Sequence, residues 1–462
     1  MEVDMGMRIP LALLAVSFAL ASPALAVDRA PALASVTRSG VPHYVMSELV
    51  SSKSRPSGYL GWDVAISGKT VVVDADGTRA DGQANAGAIY IFTRSRSGKG
   101  RLTQRAVISA PGEQYYDEVG PVAVSGDTIV VGSSYATVGA TTQAGAAYVF
   151  ERPASGWKST SHPTATLTLG TAVTYAHVGT SVAIAGSTIV VGAPNQTVGA
   201  NTEQGEALVY TKPTHGWKTS STPVELTSAS GAQDDGLGQS VAIAGATIVA
   251  GAPGREVGGH DNAGIADVFV KPHSGRWATG TETRELDPSP AITDLSFGTS
   301  VAVSGGRVAV AAEGDDNLSG LVHPAVFEFN QPAAGWGPGA DPALHPRARL
   351  TAAHGGPFDF FGQSIAISGS MIVVGAPYAS LDHRFDSGAV YVFNRPKNGW
   401  HSAHQSRQFI AATTERWDSF GFSVALSGST IVAGAPYSNF TGAHNSDDRG
   451  TAYVFTKRQE AK

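Results

Sequence analysis

Residues 179–194 read GTSVAIAGSTIVVGAP, and nearly the same phrase returns as GQSVAIAGATIVAGAP at 238–253, GQSIAISGSMIVVGAP at 362–377 and GFSVALSGSTIVAGAP at 421–436. Within it, SVAIA alternates in the manner of a short strand. The following Gly-Ser or Gly-Ala suits a two-residue hairpin turn, because glycine takes positive φ without steric cost. TIVVGA is a second strand, and Pro194, Pro253, Pro377 and Pro436 stop it, since proline has no N–H to pair. A third strand follows, such as GEALVY or GAVYVF, and then a turn such as RPASGW leads to a fourth.

Aligning on the opening glycine gives Gly61, Gly120, Gly179, Gly238, Gly298, Gly362 and Gly421, at intervals of 59, 59, 59, 60, 64 and 59 residues. Fixed periodicity of this length marks a repeat architecture. One four-stranded sheet cannot bury both of its faces, so its neighbours must stack on it. The predicted fold is all-β: a seven-bladed β-propeller of four-stranded antiparallel blades, with blade cores starting near 60, 119, 178, 237, 297, 361 and 420. The seventh copy ends after Phe455 without a fourth strand, while YVMSELV (44–50) stands unpaired before the first. The spacing predicts that this N-terminal strand closes the last blade and removes an exposed edge.

The remaining segments predict an order of signal peptide (1–26), short extension (27–43), propeller (44–457) and tail (458–462). Arg8, the apolar run IPLALLAVSFAL and Ala24-Leu25-Ala26 form the three parts of a secretory leader, with cleavage after Ala26. Glu2 and Asp4 sit oddly in such a leader, so Met1, Met5 and Met7 remain alternative starts. The location implied is periplasmic or secreted. No later apolar run is long enough for a membrane span. A net charge of −6 with no basic stripe argues against nucleic acid as a partner. The absence of cysteine leaves no disulfides, thiol nucleophile or cysteine metal cluster.

Phe-Gly at 297–298, 361–362 and 420–421, with Gly-Ala-Pro thirteen to fifteen residues after the glycine in copies three, four, six and seven, resembles the FG-GAP repeat. That family builds the seven-bladed propeller of integrin α-subunits and of many bacterial exported proteins. The resemblance implies a monomeric binding, adhesion or packing module whose partner is a protein or an extracellular or cell-envelope polymer, with any enzyme domain elsewhere in the chain. The first, second and fifth copies have lost the Gly-Ala-Pro. Integrin-like calcium is held in an acidic loop between the first and second strands. Here those connections are SGK, SGD, AGS, AGA, SGG, SGS and SGS, too short for six oxygen ligands, so no cofactor is expected.

Gly-x-Ser-x-Ala at Ser181, Ser240, Ser300, Ser364 and Ser423 resembles a nucleophile elbow, but five copies inside strands read as repeat structure. The expectation is a protein that is not an enzyme. Asp117, Asp235, Asp359 and Asp418, three residues before the glycine, and Asp294 one further upstream read as turn residues rather than a carboxylate ring. Asp74, Asp76 and Asp81 in DADGTRAD, and Glu313, Asp315 and Asp316 in EGDDN, read as solvated loop acids rather than calcium ligands. The 13 histidines show no paired ligand spacing. Trp157, Trp217, Trp277, Trp336 and Trp400 recur before the fourth strand and read as packing wedges. The aromatics that do not repeat, Tyr115, Tyr116, Tyr175, Phe358, Phe360 and Trp417, fall in fourth-to-first connections and are the predicted contact residues. The alternative is a glycan-binding lectin or a polysaccharide-cleaving propeller, the latter needing two facing carboxylates.

Overall fold

The computed structural model describes residues 44–457 apart from 53–56, 79–86, 95–100, 112–118, 315–322, 338–343, 382–383, 412–415 and 440–447. The chain divides into residues 1–34 and a large unit, 35–462, to which all described residues belong. That unit is a seven-bladed propeller.

Blade 3 shows the pattern. Its strands are Ser181–Ala185, Thr188–Ala193, Glu206–Thr211 and Val224–Thr227, paired in that order and antiparallel throughout. Along the third strand, Ala207 and Val209 enter the core shared with blade 4, while Leu208 and Tyr210 enter the core shared with blade 2. Both faces are buried, which is why these strands read as near-continuous apolar runs. Each buried valine or leucine contributes roughly 1.5–3 kcal/mol before entropy is subtracted. Among the described residues the apolar side chains form seven such clusters, each shared by two adjacent blades, and the last joins blade 7 to blade 1.

The closing strand is where the spacing placed it. Tyr44–Leu49 pairs antiparallel with Thr451–Lys457, from Tyr44 opposite Lys457 to Leu49 opposite Ala452. Leu49 is buried among residues of blades 7 and 1, and the Thr451 hydroxyl donates to the Leu49 carbonyl at 3.0 Å.

The repeated letters mark contacts between blades. The residue before each opening glycine (Leu60, Val119, Val178, Leu237, Phe297, Phe361 or Phe420) is buried against the preceding blade. At five of the seven boundaries the glycine itself passes so close to a glycine at the end of that blade's second strand that neither has room for a side chain. A Cβ on Gly192 would fall on the Gly238 carbonyl oxygen, and one on Gly238, at φ +94, would fall on the Glu206 carbonyl.

The outer edge is covered in a way the sequence did not predict. The segments after Trp157, Trp217, Trp277 and Trp400 turn back along the fourth strand of the preceding blade. Gly280–Thr281 and Ala403–His404 add short parallel fifth strands to blades 3 and 5, and single bridges do the same at Ile108–Thr160 and Leu167–Ser220. This shields edges that would otherwise invite pairing with another chain. The repeated tryptophans pack inward: Trp157, Trp217, Trp277 and Trp336 are buried in inter-blade cores, and Trp400 packs on another. The one described helix is the single turn Pro357–Asp359. Among the described residues no helix is long and apolar enough to cross a membrane.

Candidate functional site

Two positions of the first strand, one and two residues after the opening glycine, line the central channel where it opens beside the second-to-third and fourth-to-first loops. The second of these is serine in five blades, and in four of them it latches one blade to the next. The Ser181 hydroxyl donates to the Gly238 carbonyl at 2.8 Å and that of Ser240 to the Gly298 carbonyl at 2.7 Å. Ser364 and Ser423 instead accept from the N–H groups of Val424 and Val64.

Blade 1 breaks the ring. In place of serine it carries Asp63, whose carboxylate accepts from the Ser423 hydroxyl at 2.6 Å, the Val122 N–H at 2.7 Å and the Val64 N–H at 2.8 Å. It thus joins blades 7, 1 and 2 at once. Burial pushes its pKa above the usual carboxylate value, against the pull of those three hydrogen bonds. Blade 1 also replaces the Gly-Ala-Pro glycine with Asp74. This corrects the expectation of a solvated loop acid: Asp74 lies inside the strand Thr70–Ala75 and is fully buried against Gly120 of blade 2. Asp76 is half-buried beside it, and Asp81 lies outside the described residues.

These three carboxylates share a cavity of about 380 Å³ at the channel mouth, to which all seven blades contribute. Its lining has no lysine, arginine or histidine. The position after the glycine supplies the rest: Thr180, Gln239 and Gln363 on the regular side, and the rings of Trp62 and Phe422 on blades 1 and 7. Those two rings lie 4.8 Å apart, and Tyr59 and Tyr437 pack edge-on around Trp62 at 6.0 and 6.1 Å. Burial, with Asp448 and Asp76 nearby, raises the Tyr59 phenol and helps push that of Tyr437 up to about 12. Both are neutral hydrogen-bonding groups at physiological pH. Aligning the copies shows this site directly, because the column Trp62, Thr180, Gln239, Thr299, Gln363, Phe422 is the least uniform in the first strand, blade 2 being one residue shorter there with Pro121 in the serine column.

The aromatics singled out from the loops stand on the same face. Tyr175, Phe358 and Trp417 are 55%, 57% and 59% exposed. Tyr175 and Trp417 occupy the same repeat position, both with left-handed backbone (φ 65 and 73), where blades 4 and 5 place Asp234 and Asp294. Bulky residues are disfavoured in that conformation and aspartate tolerates it better, so strain is held where the rings are displayed. The structure gives each an unforeseen companion. Tyr135 and Tyr175 flank His177 at 5.1 and 6.4 Å, and the Arg416 guanidinium lies over Phe385 at 4.9 Å and Trp417 at 5.9 Å. Phe360 is not a free contact residue of this kind; it is partly buried edge-on against Tyr378 at 5.1 Å. Tyr115 and Tyr116 lie outside the described residues.

The turn aspartates hold their own loops. Asp235 accepts the Ala232 N–H at 2.7 Å and pairs with Arg255, and Asp359 accepts the Gly356 N–H at 2.9 Å. Asp294 accepts from the Asn262 amide, and Asp117 lies outside the described residues. Among the described residues no group of three or more His, Cys, Asp or Glu is placed to hold a metal ion.

A model of the FG-GAP repeat matches residues 45–92, 222–269, 346–393 and 404–455. Each match runs from a fourth strand through the third strand of the next blade, the same offset by which the N-terminal strand closes the ring. No curated protein matches the chain. Among solved structures, the WD40 β-propeller domain of Doa1 aligns over 91% of this chain and 99% of its own, at 10% identity and a TM-score of 0.49.

Proposed function

This chain is an FG-GAP repeat β-propeller, and we propose that it is an exported, non-enzymatic binding protein that engages a protein or envelope polymer through its loop face. The observation that carries the reading is an asymmetry. The repeat dictates serine, threonine and glutamine around the channel, yet blades 7 and 1 place Trp62, Phe422, Asp63, Asp74 and Asp76 there, inside a rim of displayed rings. Exposed aromatics set around a recess are the usual anchors of recognition. The leader-like residues 1–26 support export to the periplasm or beyond. Adhesion is the biological role that fits such a face, and the propeller acts as a monomer without metal.

A glycan is the second reading, favoured by one observation: the mouth sets the Trp62 and Phe422 rings beside hydroxyl, amide and carboxylate groups, the combination that stacks and hydrogen-bonds a sugar. The test is affinity capture from the envelope of the exporting cell alongside a glycan array, each with wild type and with Trp62→Ala. Saturable capture of a protein or polymer that Trp62→Ala weakens supports the reading. Specific sugar binding on the array moves it to the lectin, and capture indifferent to Trp62 removes the mouth from the site.

A further inference from the structure

A second recess lies away from the channel, on the same face, in the groove between blades 5 and 6. It encloses about 230 Å³ and is lined by His323, Pro324, Arg349, Thr351, Ala352, Gly355, Gly356, Phe361 and His404. Arg349 and Thr351 stand two residues apart on the strand Ala348–Thr351, so their side chains leave the same face of the sheet. His404 sits beside Thr351 in the parallel register that covers that strand's edge, with its Nδ1 hydrogen-bonded to the Thr351 hydroxyl at 3.2 Å.

The repeat makes these residues informative. The position of Arg349, opposite the third residue of the third strand, holds Val107, Thr166, Glu225, Glu285, Gln408 and Glu48 in the other six blades. Three of those six are acidic, and only blade 5 is cationic. The position of His404 holds Thr281 in the other parallel pair, opposite Thr227. Neither substitution serves the blade, since its regular counterparts make the same backbone pairs. The guanidinium donates one bond, to the His323 carbonyl at 2.9 Å, and no described carboxylate forms an ion pair with it. Asp359, on the loop that lines the groove, accepts the Gly356 N–H. Desolvation lowers the Arg349 pKa with no opposing carboxylate, which marks a cation set without its counter-charge.

We propose that this groove is an oxyanion site: it takes a single carboxylate or phosphate group, held by the remaining Arg349 N–H donors with the His404 imidazole and the Thr351 hydroxyl at its side. Arginine's planar fork matches either oxyanion in two-point fashion, and the volume suits a terminal group rather than a nucleotide. The site does not depend on the channel mouth.

The experiment uses the folded protein and two probes, inorganic phosphate and acetate, at constant ionic strength with chloride as the balancing anion. Histidine ring NMR signals are followed in wild type, Arg349→Gln and His404→Thr, the last restoring the residue of the other parallel pair. Thermal melting confirms that each variant is folded. Saturable shifts of the His404 signals whose midpoint weakens at least about tenfold in Arg349→Gln, with those of His323 weakening less in His404→Thr, support the site. A response to acetate alone assigns it to carboxylates, and to phosphate alone to phosphates. No saturable shift with either probe, or one that Arg349→Gln leaves unchanged, overturns it.

Discussion

The boundary between blades 3 and 4 and the boundary between blades 7 and 1 are built on the same backbone but put it to different uses. At the first, Gly192 and Gly238 touch, Ser181 donates across, and Thr180 and Gln239 face the channel. At the second, Gly434 and Gly61 touch in the same way, yet the latch ends on Asp63 and the channel positions are Phe422 and Trp62. The glycine contact sets how closely two blades approach at five of the seven boundaries, and at the other two the opening glycine leaves room for Asp74 of blade 1 or Ala311 of blade 5. The residue directly after it faces the channel and varies, while the next one keeps the latch between blades, mostly as serine. A repeat protein of this kind therefore separates what holds it together from what it presents.

The sharpest way to break that comparison is to remove what closes it. Deleting residues 44–49 leaves the Thr451–Lys457 edge unpaired and empties Leu49 from the core between blades 7 and 1. The deletion is expected to abolish cooperative melting or to yield oligomers on size-exclusion chromatography; unchanged melting would contradict the closure. Next comes Gly192→Ala, whose methyl meets the Gly238 carbonyl and should cost about 2–4 kcal/mol in chemical denaturation. Gly186→Ala, at the hairpin turn with open space around it, should cost only about 1 kcal/mol for its positive φ. Equal effects would mean that blade contact is not what the repeated glycine serves.

A smaller effect separates packing from charge. Burial, then the neighbouring Glu225, pushes the Glu206 pKa up to about 8 from an ordinary 4.5. The folded state therefore keeps a proton that the unfolded chain releases. The stabilisation is complete below about pH 4.5 and drains away as pH rises towards 8. Glu206→Gln should flatten that decline and gain about 2 kcal/mol or more over wild type at pH 8. Parallel pH profiles for the two proteins would disprove it. The smallest effect on stability belongs to the displayed rings: Tyr175→Ser and Trp417→Ser should change it by no more than about 0.5 kcal/mol while lowering ligand capture. A loss of fold in either would make them structural.

Much of this was legible in the sequence because the repeat announces itself. Period, strand order, the closing strand and the tryptophan wedges follow from spacing and from the apolar pattern of strands buried on both faces. The substance of the Phe-Gly and Gly-Ala-Pro letters was not legible, since it lies in contacts between one copy and the next. Asp74 was misread for a related reason: VVVDADG looks like a strand running out into an acidic loop, and only the register shows the aspartate standing where a glycine should. The parallel fifth strands are two residues long, below what periodicity can reveal. Tyr175 and Trp417 were visible as rings that do not repeat, but their companions Tyr135 and Phe385 come from a different loop.

The most direct measurement restores the regular letters at the channel mouth. The triple variant Trp62→Thr, Asp63→Ser and Phe422→Thr makes blades 7 and 1 read like blade 3 while leaving every repeated glycine in place. Wild type and variant are immobilised and their saturable capture of protein or polymer from a cell-envelope extract is compared, with melting recorded in parallel. The account predicts a melting temperature within about 3 °C of wild type and capture reduced at least about tenfold. Undiminished capture by a variant that folds as well as wild type would contradict it.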